Sequence, residues 1–219
     1  MGYVRWFGHA AFEVNIDGVK VLIDPWVSNP LSNVKVDELK NIDLILVSHD
    51  HFDHLGDTVE VARKTGAQIL SVPELSNYLK DQGLNTIGMN IGGTAEFKGL
   101  KITMTQAFHT SSRGSPVGYV IKGSESSIYH TGDTGLFGDM KIIGELYKPK
   151  ISLLPIGGYY TMGINEALVA VELIKPETVI PMHYNTFPVI KADVEKFKEL
   201  TAGKGVKCIV LKPGESYTF

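Results

Sequence analysis

Cysteine is almost absent from this 219-residue chain: Cys208 stands alone, so no internal disulfide is available and a reducing cytoplasm is the setting that fits. Cys208 lies in the apolar run Val206 to Leu211 and reads as core. Long apolar runs are missing too, none approaching the ~18 residues of a membrane-spanning helix. The opening Met1-Gly2-Tyr3-Val4-Arg5-Trp6-Phe7 lacks the basic start and apolar stretch of an export signal, so neither export nor membrane insertion is expected. Neither sign of charge dominates: 21 Lys and Arg against 24 Asp and Glu leave a net charge of −3. With no surplus of cations to neutralise a phosphate backbone, nucleic acid is disfavoured as a partner. No linker, charge block or low-complexity stretch divides the chain, and residues 1–219 are expected to form a single domain.

What is present is a regular alternation of elements. Tyr3 to Phe7, Ala11 to Ile16 and Val19 to Ile23 read as strands, the last two joined by Asp17-Gly18, a pair suited to the positive φ of a hairpin turn. Ile42 to Ser48 has the apolar character of a buried strand, and Leu55 to Lys64 has helical spacing. Strands are expected at Ile69 to Val72, Leu100 to Ala107, Val117 to Ile121 and Ser127 to Thr131, with a helix at Pro73 to Lys80. The last third alternates strands Ile151 to Pro155, Thr178 to Pro181 and Val206 to Leu211 with helices Asn165 to Lys175 and Ala192 to Thr201. Two sheets face to face with helices outside, an α/β sandwich, is the architecture this implies.

Seven histidines are unremarkable in number, but their placement is not. His49-Asp50-His51-Phe52-Asp53-His54 bridges a strand end and a helix start. In an extended loop, residues two apart point to the same side, so His49 and His51 can chelate one ion. Asp53 and His54 are immediate neighbours and can share an ion only if the chain bends there, which the turn into a helix supplies; they would then face a second ion beside the first. His109, Asp133 and His183 each follow an expected strand, where loops carry sites positioned by a rigid sheet. Imidazole with carboxylate and no thiolate suits zinc first, with manganese, iron, cobalt or nickel also fitting.

This pattern resembles the metallo-β-lactamase superfamily. The segments Trp6-Phe7-Gly8-His9-Ala10-Ala11-Phe12, Leu22-Ile23-Asp24-Pro25-Trp26, Tyr129-His130-Thr131-Gly132-Asp133-Thr134 and Pro181-Met182-His183-Tyr184-Asn185-Thr186-Phe187-Pro188 are similar to its metal-dependent hydrolases near the ascorbate-6-phosphate lactonases. The resemblance implies a four-layer αββα sandwich and two divalent metal ions per chain. It also implies that His49, His51 and His109 hold the first metal, Asp53, His54 and His183 the second, and that Asp133 bridges them. The acidic bridge is similar to the hydrolases of the superfamily; His51 stands where flavodiiron-type members carry an acidic residue, and only 36 residues follow His183, too few for a glyoxalase-type helical domain.

The implied activity is hydrolysis of a small ester, lactone or phosphoester by a metal-activated water, with Asp53 as proton acceptor and His183 indispensable. A small anionic or polar substrate, such as a sugar-phosphate lactone or a small phosphodiester, is expected; a homo-oligomer stays open. A phosphodiesterase acting on nucleic acid and a non-catalytic metal-holding sensor are the rival readings. Asp24 reads either as a turn former before Pro25 or as a carboxylate orienting a ligand imidazole. His9 is either a structural residue or a substrate contact, and His130, alternating with core residues, is read as structural. Arg113 either meets an anionic group or belongs to an exposed turn. Tyr159, Tyr160 and Met162, in the glycine-flanked loop 157–163, are read as a substrate lip. Asp50 reads as a solvated carboxylate.

Overall fold

The computed structural model describes residues 2–219. Strands β1 (Tyr3–Gly8), β2 (Ala11–Ile16) and β3 (Val19–Ile23) form an antiparallel meander. The β2–β3 turn is the expected one, with positive φ at Asp17 and Gly18 (53° and 82°). From β3 the sheet continues in parallel through β4 (Leu44–Leu46), β5 (Gln68–Ser71) and β6 (Thr86–Gly88), while β14 (Ser216–Thr218) pairs antiparallel with β1 at the other edge. The second sheet opens antiparallel with β7 (Thr94–Phe97), β8 (Leu100–Gln106), β9 (Val117–Lys122) and β10 (Ser127–His130). It continues in parallel through β11 (Ile151–Pro155), β12 (Thr178–Met182) and β13 (Lys207–Cys208). Among the described residues each sheet has seven strands, and the two pack face to face with helices outside.

The faces of both sheets are apolar and merge into one core that includes Phe7, Phe12, Leu22, Ile45, Tyr119 and Tyr129, all fully buried. Tyr119 of β9 reaches across it and donates its hydroxyl to the carbonyl of Val47 at 2.8 Å, satisfying a polar group that burial would otherwise penalise. Outside the sheets lie α2 (Thr58–Thr65) and α3 (Pro73–Lys80) on one side and α4 (Met140–Tyr147), α5 (Ile164–Ile174) and α6 (Val194–Ala202) on the other; α1 (Phe52–Leu55) is a single turn. Among the described residues no helix is long and apolar enough to cross a membrane.

The strand directions give the fold its functional end. Because β1, β3 and β4 run the same way, as do β8, β10 and β12, their C-terminal ends deliver loops to one end of each sheet. One helix differs from the sequence reading. The expected Leu55–Lys64 segment is interrupted at Gly56, whose φ of +41° ends α1 and whose missing side chain admits the Trp26 backbone, a Cβ there lying 2.5 Å from Trp26 Cα. Helical spacing persists through a break that only a glycine makes possible. Strands β6, β7 and β14 and helix α4 were not anticipated.

Helix α4 packs on α5 through Gly144, where an added Cβ would lie 2.4 Å from the Ile174 carbonyl oxygen. Gly144→Ala is therefore expected to separate the helices and to destabilise the fold by about 1–3 kcal/mol. A urea midpoint unchanged from the parent would show that the pair tolerates the methyl group.

Candidate metal centre

Six strand exits build the site. His9 follows β1, Asp24 follows β3, Ser48 to His51 follow β4, His109 follows β8, Asp133 follows β10 and His183 follows β12 directly. The turn α1 then carries Asp53 and His54, with His51 as the residue capping its start. The bend inferred between Asp53 and His54 is thus a helical turn.

These chains converge. His49 Nε2 lies 3.0 Å from His51 Nδ1, which lies 3.3 Å from His109 Nε2, so three imidazole nitrogens meet at one point. Beside them, Asp133 Oδ2 lies 3.1 Å from His54 Nε2, 3.0 Å from His183 Nε2 and 3.6 Å from His109 Nε2. His49, His51 and His109 form one group with ligand atoms within 4.8 Å of one another; His9, Asp53, His54 and His183 form a second, and His49, His54 and Asp133 a third between them. Among the described residues, His54 Nε2, Asp133 Oδ1 and both nitrogens of His183 are buried with no partner in hydrogen-bond geometry, despite the short approaches to Asp133. Orphaned buried polar atoms are rare in folded proteins, and a borderline divalent cation is the group this donor set fits.

The nitrogens that face away from the cluster are tied down from behind. Asp24, fully buried, accepts from the Ser48 backbone at 2.7 Å, from Ser48 Oγ at 2.6 Å and from His54 Nδ1 at 2.7 Å. Because Ser48 gives its hydroxyl proton to Asp24, its oxygen accepts from His49 Nδ1 at 2.9 Å. One carboxylate and one hydroxyl thereby fix the tautomers of two imidazoles and leave both Nε2 atoms facing the cluster. The structure places Asp24 against Ser48 and His54, behind the cluster. His130 holds the surrounding loops, its Nε2 donating to the Ala10 carbonyl at 3.0 Å and its Nδ1 accepting from Gly132 at 3.1 Å.

Four residues read as substrate contacts or solvated groups sit elsewhere. His9 is fully buried: its Nε2 donates to Asp53 Oδ2 at 3.0 Å, its Nδ1 accepts from Thr186 at 2.9 Å, and its ring lies tilted against that of His183, the centroids 4.0 Å apart. It orients a carboxylate instead of lining the cleft. Arg113 is engaged by Asp50 at 2.8 Å and lies over the Tyr78 ring at 3.9 Å, so its charge is taken up within the fold. Asp50 is correspondingly not solvated; it also accepts from Ser111 and the Ser112 backbone, both at 2.8 Å, and so anchors the turn after His109. Met162 is 1% exposed and belongs to the core, its backbone donating to the Thr134 carbonyl at 3.0 Å. Of the expected lip only Tyr160 lines the cleft over the cluster, a cavity of about 480 Å³; Tyr159 is exposed beside it. Sequence reasoning passed over Ser48 and Thr186, although each stands within three residues of a candidate ligand.

The β-lactamase superfamily domain model matches residues 19–184. The chain belongs to that superfamily. It is 56% identical to a UPF0173 metal-dependent hydrolase of Caldivirga maquilingensis, over 98% of this chain and 97% of that protein, and 52% identical to one of Thermofilum pendens, over 98% of each. Igni18, a metallo hydrolase of Ignicoccus hospitalis, superposes with a TM-score of 0.94 at 45% identity, covering 100% of this chain and 99% of that one. An isothiocyanate hydrolase from gut bacteria of Delia radicum shares the fold, with a TM-score of 0.82 at 21% identity over 99% of this chain and 98% of that one. The protein is a metal-dependent hydrolase of the metallo-β-lactamase fold.

Burial sets the charges in the cluster. It pushes His49 down to about 3 and His9 to about 4, and lowers His109 and His130 as well. Burial also opposes charge on His54, but Asp133 and Asp24 on either side outweigh it and hold this imidazole well above the usual range. On Asp133 burial is likewise outweighed, by His183 and His54, so its carboxyl lies well below its ordinary value.

A histidine whose folded pKa is lowered loses stability for the fold once pH drops below its unfolded value, because the unfolded chain then binds more protons. For His9 and His49 that window runs from 6.5 down to about 4 and about 3. The depressed carboxylates lose their contribution only as pH falls through their own lower values, and His54 loses its contribution only as pH rises through its elevated one. Chelator-treated protein is therefore expected to lose unfolding free energy steadily as pH falls from 6.5 toward about 4. Urea denaturation at several pH values in that window checks this; a flat profile contradicts the neutral assignment of these imidazoles.

Proposed function

We propose that the chain hydrolyses a small ester, lactone or phosphoester with two divalent cations held by His49, His51, Asp53, His54, His109, Asp133 and His183. The observation that carries this reading is the pair of ligand groups, three imidazoles in one and Asp53, His54 and His183 in the other, with Asp133 Oδ2 between them at the floor of an open cleft. Cations bound there would lower the pKa of a water toward about 7 and polarise the reacting group, zinc first and manganese, iron, cobalt or nickel as alternatives.

The protein's own side chains would do the rest. Asp53 lines the cleft and is held by His9, so it is placed to accept a proton from the attacking water and return it to the leaving oxygen. The water oxygen forms the new bond to carbon or phosphorus as the ester C–O or P–O bond breaks. Asp24 and Ser48, acting through His49 and His54, keep two donor atoms in place without touching the reactants. His183, beneath the His9 ring, presents Nε2 to Asp133 Oδ2.

Elemental analysis of protein purified without added metal is expected to show about two divalent ions per chain, and Asp133→Ala to lose at least one of them. Full activity with one tightly held ion, insensitive to that substitution, would overturn the assignment.

His54 gives a second test, because Asp133 and Asp24 raise its pKa, so that a cation at Nε2 would compete there with a proton, whereas burial favours the neutral form of His49 and His109. Titrating metal into the chelator-treated protein in buffers of different ionisation enthalpy is expected to report proton release on binding. Asp24→Asn removes one of the two carboxylates that raise the pKa; less proton release and about 10–100-fold weaker metal binding are expected. Unchanged affinity in that variant would deny Asp24 its orienting role.

A further inference from the structure

Apart from the residues assigned to the metals, the cleft is lined by Phe52, Thr110, Tyr160 and Phe187. Three of the four are aromatic, and they come from three separate loops: the turn α1, the connection after β11 and the connection after β12. Phe52 stands between His51 and Asp53 yet is 68% exposed, and Tyr160 is 52% exposed. Trp26 braces two of the rings, meeting Phe52 edge-on at 5.5 Å and stacking on Phe187 at 5.9 Å. The result is a pre-oriented apolar wall beside the reaction centre, left open to solvent.

Among the described residues no lysine or arginine lines this cleft. Arg113, the cation nearest in sequence to His109, is bound to Asp50 and covers Tyr78. A phosphate carried away from the scissile bond would meet no cationic side chain, and Thr110 and Tyr160 offer hydroxyls only.

We infer that the group the substrate carries beyond its scissile bond is apolar and of aryl or medium acyl size, bound against Phe52, Tyr160 and Phe187, and is not a phosphorylated sugar. This rests on the hydrolytic reading of the metal centre and redirects the expectation of an anionic or polar substrate. A volume of about 480 Å³ accommodates such a group together with the reacting atoms. Exposed aromatics that exclude water from an apolar ligand group gain both buried area and ring contacts.

The test compares matched substrates on protein carrying its metals: phenylpropyl and methyl versions of an ester and a phosphodiester, and 6-phosphogluconolactone against δ-decalactone. The apolar member of each pair is expected to have at least about tenfold higher kcat/KM. Phe52→Ala/Tyr160→Ala is expected to reduce that preference about tenfold while elemental analysis shows the same metal content. A phosphorylated lactone hydrolysed as well as or better than its apolar counterpart overturns the inference and leaves the hydrolytic reading standing; so does a double variant that lowers all rates equally or changes oligomeric mass instead of selectivity. If nothing is hydrolysed, the hydrolytic reading fails, and calorimetric binding of 3-phenylpropylphosphonate against glucose 6-phosphate decides the inference alone: tighter binding of the former supports it, equal or weaker binding refutes it.

Discussion

The buried Asp24 carboxylate engages three donors at once, the Ser48 amide, the Ser48 hydroxyl and His54 Nδ1, and the geometry of the metal centre depends on that arrangement. It joins the exit of β3 to the exit of β4, so these two strands are locked together where the candidate ligands begin. Through Ser48 the same carboxylate reaches His49. Without it, two imidazoles would be free to change tautomer or rotate, and a nitrogen meant for a cation could be turned into a hydrogen-bond donor.

The backbone carries a related constraint. His9, Asp24 and His183 all adopt positive φ (52°, 44° and 53°), a region that side-chain-bearing residues rarely enter, and each stands at the C-terminal end of a strand. Such strain persists only where surrounding contacts over-determine it, and here the contacts are those of the site. His183 N–H donates to the His9 carbonyl at 3.0 Å, linking the last candidate ligand to the first loop across 174 positions of sequence. Gly157 lets its own loop lie against His183, since a Cβ there would be 2.2 Å from the His183 carbonyl oxygen. Loops from both sheets are thus fastened to each other as well as to their strands.

This explains what could be read in the sequence and what could not. The His49–His54 cluster is local, and its parity, together with the placement of His109, Asp133 and His183 after strands, was legible because strand ends are marked by apolar runs. Two sheets face to face with helices outside followed from the same runs, and the four-layer αββα form from the family resemblance. The supporting partners were not legible: Asp24 meets Ser48 over 24 positions, His9 meets Asp53 over 44, and Asp50 meets Arg113 over 63. Nothing in a linear pattern distinguishes Asp50, buried under its turn, from a surface carboxylate. β14 has three residues and owes its form to pairing with β1 at the opposite end of the chain, while β7 alternates between exposed and half-buried positions and shows little apolar signal. α4 was obscured by Gly144, a poor helix former whose position is dictated by packing against α5.

Electrostatics ties the arrangement to its chemistry. Asp24, Asp53 and Asp133 are all held below the ordinary carboxylate range although burial works against each of them, while burial drives His9, His49 and His109 toward the neutral form. His54 is driven the other way, by the two carboxylates that flank it. Neutral imidazoles beside ionised carboxylates are the protonation states a divalent cation requires of its ligands. Uncompensated buried carboxylates would be costly in a fold stabilised by hydrophobic burial, and His54 lies between two of them. A change of substrate at this centre can therefore leave the charge balance untouched and act on the rings of Phe52, Phe187 and Tyr160, which share the cleft but take no part in the hydrogen bonds among the candidate ligands.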